Sequence, residues 1–97
     1  ETIGKDKILD VGVNHVESIG KNMSITIGEN LSENAGRKIN ITAGDQIQFK
    51  TGSASITMKS NGDITIEGNN IRINGSGKID AKASGNVSIK GSKVSTN

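Results

Sequence analysis

Apolar and polar residues alternate along most of this chain, and glycine interrupts the alternation at regular steps. In the first half, glycine stands at every eighth position: 4, 12, 20, 28, 36, 44 and 52. Counted from each glycine, apolar residues favour the third, fifth and seventh places, as residues 20–27 and 36–43 illustrate. A period of two is typical of a strand with one buried face and one wet face. The pattern predicts strands of about six residues joined by corners at glycine.

The repeat is strict over residues 1–52 and looser over residues 53–97. Most apolar residues lie on odd positions up to Phe49, with Val16 out of phase. They move to even positions between Ile56 and Ile66 and return to odd positions from Ile71, until Val94 changes the phase again. Turn-forming residues at 60–63, 68–70 and 75–77 predict corners where the phase can change. No stretch has the periodicity of a helix, so the sequence predicts an all-β fold in one domain spanning residues 1–97.

Composition narrows the kind of core that these strands can build. The chain has 97 residues, no Cys, no Pro, one aromatic residue and 15 Ile, which favours a thin core of branched side chains. The net charge of +2 is spread over mixed acids and bases, which argues against a nucleic-acid partner. No signal peptide or membrane span is visible. Because the sequence starts in the middle of its pattern, we expect it to be part of a longer protein.

Repeats of this length can stack in two ways. A single-chain β-helix of these repeats would be only ~19 Å tall, with both ends open and no capping helix. In the alternative, three identical chains wind about one axis, and each octad pairs with octads of the other two chains. This arrangement leaves no lateral strand edge exposed. The sequence therefore favours an intertwined homotrimeric triangular β-helix, or β-prism.

Three stretches carry a family resemblance that covers nearly the whole chain. They are the Gly-x-Asn octads from Gly12, the segment 44–56 (Gly-Asp-Gln-Ile-Gln-Phe-Lys-Thr-Gly-Ser-Ala-Ser-Ile) and the segment 75–85, which begins Gly-Ser-Gly-Lys-Ile. These residues resemble the C-terminal needle of the bacterial type VI secretion spike protein, the VgrG family. The puncturing needles of contractile phage tails share the octad pattern and remain an alternative.

The resemblance implies a structural protein rather than an enzyme, with no catalytic residue, cofactor or metal. It implies a trimer that assembles in the bacterial cytoplasm on an upstream hub and inner tube. The needle is then driven into a target cell envelope or released into the medium. A PAAR-type protein is expected to cap its C-terminal end, which is also the expected attachment point for effectors. The residues expected to dock that cap are Lys93, Val94, Ser95, Thr96 and Asn97.

Three polar residues of the octads are candidates for a special role. Glu17 and Glu33 occupy the fifth place of their repeats, where other repeats carry apolar residues. In a trimer they would either converge on the axis, around a cation or water, or turn to solvent through a local change of register. His15, the sole histidine, is expected to be an ordinary surface residue.

Other functions for a β-solenoid require residues that this chain lacks. A carbohydrate-active enzyme on a single-chain β-helix would gather acids and bases on one face, but here they are scattered. The Gly-Gly-x-Gly-x-Asp repeat of calcium-binding toxins is absent. An ice-binding solenoid would show a regular Thr ladder, whereas the outward Thr residues here are irregular. These absences leave a puncturing needle as the favoured function.

Overall fold

The computed structural model describes residues 1–97 and contains no helix. Three strands form one antiparallel sheet in the order β1-β2-β3: β1 (Gln46–Thr51), β2 (Ala54–Lys59) and β3 (Ile64–Glu67). We call this sheet the meander. The chain divides into two units, Glu1–Ile39 and Asn40–Asn97, and all three strands belong to the second. The prediction of an all-β chain is confirmed.

The predicted glycine corners are present in both units. In the first unit the backbone bends at residues 4–5, 12–13, 20–21, 28–29 and 36–37, each time at a repeat glycine and the residue after it. In the second unit bends fall at 44–45, 69–70, 76–77, 84–85 and 91–92. The segments between corners outside residues 46–67 have no strand partner within the chain. They make no backbone hydrogen bonds with one another.

A two-residue loop, Gly52-Ser53, joins β1 to β2. Gly52 has a φ of +54°, and no residue other than glycine has a positive φ. Positive φ at the first loop position alone is the pattern of a type II′ turn, whose twist suits an antiparallel hairpin. Thr51 therefore pairs with Ala54, and the ladder continues to Gln46 opposite Lys59.

This hairpin corrects one sequence expectation. We expected every octad to pair with octads of other chains, but residues 46–67 pair within the chain. The physical reason is local: glycine at the eighth place can make a tight reversal as readily as an open corner. The reversal also explains the phase change, because antiparallel pairing sets Phe49 opposite Ile56 and Ile47 opposite Met58. The apolar residues of β1 and β2 thereby share one face.

The second reversal is the three-residue loop Ser60–Gly62, at the turn predicted for residues 60–63. The amide of Lys59 donates a 3.0 Å hydrogen bond to the carbonyl of Asp63 across the ends of this loop. The amide of Gly62 donates to the carbonyl of Lys59 at 3.0 Å, and Gly62 has a φ of +98°. A three-residue loop that ends in a left-handed glycine is a common hairpin connection. The Asn61 side chain accepts a 3.0 Å hydrogen bond from the amide of Asp63 and steadies the loop. This predicted turn is confirmed.

The chain has no buried residue at all. Every Ile, Leu, Val, Met and Phe is exposed except Ile47, which is half-buried. The accessible surface is 10513 Å², whereas a compact monomer of this mass would expose roughly 5300 Å² and its unfolded chain roughly 14600 Å². One copy of the chain thus buries less than half of the area that a folded domain of its size removes from water.

Replacing Gly52 tests the hairpin directly. Gly52→Val forces a branched side chain into the left-handed region, which costs about 1–2 kcal/mol. We expect the free energy of local opening of β1 and β2, measured by amide hydrogen exchange, to fall by that amount. Gly52→Asn is the control, because asparagine tolerates this conformation. Equal exchange in the two variants would contradict the turn assignment.

Candidate interaction surface

All apolar side chains of the meander lie on one face, which we call the apolar face. Strand register sets them in two rows, Phe49–Ile56–Ile66 and Ile47–Met58–Ile64. Apart from Ile47, these side chains are between 39% and 67% exposed. No charged residue stands in either row. Contiguous apolar surface of this kind marks a site of association in proteins that are otherwise solvated.

One end of the apolar face is concave. The chain leaves β3 at Glu67, and the segment that follows lies alongside the sheet, so that Ile71 and Arg72 border the strand residues. The resulting groove has a volume of about 380 Å³. Its apolar wall is formed by Phe49, Ile56 and Ile66. The apolar face therefore offers a hollow that an aliphatic side chain of a partner can fill.

The opposite face of the meander is polar throughout. Its residues line an open groove of about 490 Å³ that includes Gln48, Lys50, Thr57, Lys59 and Glu67. Ser55 and Thr57 on the central strand are half-buried by their neighbours. Amides, hydroxyls and charges of both signs are suited to contact with water. The meander is thus a sheet with one apolar face and one polar face.

His15 and Glu17 form a pair that the sequence analysis did not connect. The imidazole Nε2 lies 2.7 Å from a carboxylate oxygen of Glu17, and the two side chains are 45% and 52% exposed. Residues two apart on an extended chain point to the same side, so both occupy the side of the apolar places. Glu33 has no ion-pair partner in the chain. An ion pair joins Lys7 to Glu1 at 3.2 Å.

The residues expected to dock a cap are all exposed and follow a bend at residues 91–92. Val94 is 54% exposed. Lys93, Val94, Ser95, Thr96 and Asn97 form no strand and no hydrogen bond within the chain. Their backbone donors and acceptors are therefore free for a partner. Their docking role remains a prediction.

No three His, Asp or Glu side chains come close enough together to hold a metal ion. None of the chain is a helix with the length and apolar character needed to cross a membrane. The notable chemistry of the chain is that of its surfaces: one apolar face, one polar face and segments outside the sheet that make no backbone hydrogen bonds with one another.

No protein-family model and no curated protein sequence matches the chain. The apolar face is the feature that sequence reasoning missed. Its signal was the shift of apolar residues from odd to even positions after Gly52, which a hairpin explains and a simple corner of the octad kind does not.

A double-mutant cycle on His15→Gln and Glu17→Gln tests the contact between these two side chains. Because both groups are about half exposed, we expect the two substitutions to be coupled in the free energy of unfolding by less than about 1 kcal/mol. The coupling should shrink as salt is raised. Glu33→Gln combined with His15→Gln is the matched control and should show additive effects. Coupling in the control but not in the test cycle would contradict the contact.

Proposed function

We propose that this chain is the shaft of a homotrimeric puncturing needle of the type VI secretion kind. The observation that carries the proposal is the complete absence of buried apolar side chains in one copy. A chain with 15 Ile that leaves its apolar places in water must cover them with partner chains to reach ordinary stability. Three copies about one axis are the arrangement that fits the octads best.

The repeat itself supports identical chains as the partners. A covering chain must present apolar side chains at period two and turn every eight residues, because corners occur at that spacing. Another copy of this polypeptide meets both conditions. Closed symmetry with three copies also removes lateral edges, which two flat copies would leave open.

The proposed needle has two kinds of segment. Octads without in-chain partners wind about the other two chains, and their free backbone groups pair between chains. Residues 46–67 keep their in-chain pairing and contribute a meander from each copy. The apolar faces of three meanders then point toward the axis, and their polar faces point to water. This placement gives both faces of the sheet a suitable environment.

Such a rod suits a mechanical task. Each hydrogen bond contributes only about 0.5–1.5 kcal/mol to stability. In ladders between chains, however, many hydrogen bonds resist an applied force at the same time. Wound chains cannot separate one strand at a time, so unfolding is slow as well as costly. Stiff isoleucine side chains fill a thin core with little slack. These properties match a device that is pushed through an envelope along its own axis.

The end of the chain from residue 78 to residue 97 is proposed as the cap-binding end. It carries Lys78, Lys82, Lys90 and Lys93 against a single acid, Asp80. Residues 93–97 supply free backbone groups and Val94 in three copies to a PAAR-type cap. The hub, inner tube and target envelope are the further proposed partners. A phage-tail needle would use the same architecture.

The oligomeric state tests the proposed function. We expect native mass spectrometry of the chain at micromolar concentration to give three times the 10.1 kDa mass of one copy. The trimer should persist in dilute SDS at room temperature, because dissociation requires unwinding of all three chains. A monomeric mass under these conditions would falsify the needle.

Removal of residues 91–97 tests the cap site. The truncated chain should remain trimeric but lose binding to a purified PAAR-type protein, measured by calorimetry. Val94→Asn is a smaller change that should weaken binding by roughly tenfold through loss of apolar contact. Lys21→Asn, which lies outside the proposed site, is the control and should bind normally. Undiminished binding after truncation would exclude this site.

A further inference from the structure

We infer that the apolar face of the meander is the surface at which three copies of this chain first associate. The inference goes beyond the proposed trimer, on which it rests, by assigning the start of assembly to one segment. It commits to two further copies of the same meander as the occupants of that face. The octads then wind together afterwards.

The meander is the part of the chain that can form before any partner arrives. Its ladders run from Gln46–Lys59 to Thr51–Ala54 and from Ser55–Glu67 to Met58–Ile64, all between residues close in sequence. Hairpins with short loops close within microseconds and cost little loop entropy. Outside this sheet and its turns, no backbone hydrogen bond forms within the chain. The remaining segments need a partner before they can pair.

The preformed face also carries more apolar side chains than the inward places of any single octad. Its two rows hold six apolar side chains and no charge. The corresponding places in the octads include Glu17 and Glu33, and His15 holds a third-place position. Bringing three copies of a carboxylate together costs free energy that three copies of Phe49 do not. Early contact therefore favours the meander over the octads.

The occupant follows from area and chemistry. One copy exposes roughly twice the surface of a compact protein of its mass, so large areas must be covered by chains with matching period. The groove beside Ile71 accepts an aliphatic side chain, and each copy presents several on the neighbouring strands. A nucleic acid would find a single positive charge at the border of this face, Arg72, and none in its two rows. Copies of the chain fit both the shape and the polarity.

Assembly kinetics of the full chain test the inference. Chains are unfolded in denaturant and diluted, and trimer formation is followed by energy transfer between labelled copies. Ile56→Thr with Ile66→Thr keeps strand propensity but removes apolar contact. This double variant should slow assembly by roughly tenfold or more, because early contacts govern the association rate. Gly52→Val leaves every apolar side chain in place but strains the hairpin, and it should slow assembly as well.

The matched control is Ile25→Thr with Ile27→Thr, which removes the same groups from an octad. It should change the assembly rate by less than about twofold and mainly speed dissociation. Equal slowing by the octad and meander variants would overturn the inference, as would wild-type assembly rates in Gly52→Val. A wild-type chain that stays monomeric overturns the proposed trimer instead. A monomer that sediments with phosphatidylcholine vesicles would assign the apolar face to lipid and overturn both.

Discussion

The structure depends on one constraint: a chain whose apolar residues alternate with polar ones cannot cover its own apolar side when its strands lie in a single layer. The meander illustrates the constraint most clearly. Its pairing satisfies the backbone of β2 on both edges, yet Phe49, Ile56 and Ile66 remain open to water. Pairing of the backbone groups in this sheet therefore does not bring burial of the apolar side chains with it. The first is achieved locally over 16 strand residues, and the second is not achieved within one copy of the chain.

Much of the local structure could be predicted from the sequence. Glycine at every eighth position predicted corners that the backbone makes, and the Ser60–Asp63 residues predicted a turn that the Gly62 amide closes. The hairpin at Gly52 was missed because a repeat glycine permits both a corner and a reversal. Only the partner of the following strand distinguishes them. Pairing depends on contacts that a period of eight residues does not encode.

The candidate sites divide in the same way. Position along the octad singled out Glu17, whereas His15 was noted only as the sole histidine. Their contact depends on an extended chain in which both side chains point to one side. The apolar face could be found from sequence only by combining the phase change with antiparallel pairing. Residues 93–97 have no internal partner, so their role depends on molecules that a single sequence does not describe.

The hairpin at Gly52-Ser53 has a further consequence for identical chains that share a repeat. Octads that follow one another with the same pattern could be aligned with a neighbour's octads at several offsets of eight residues, since most apolar places coincide at each offset. A sheet that occurs once in the sequence has no such ambiguity. In a bundle of three copies, the meander would fix the register of the chains relative to one another. Every copy would then end at the same height along the axis.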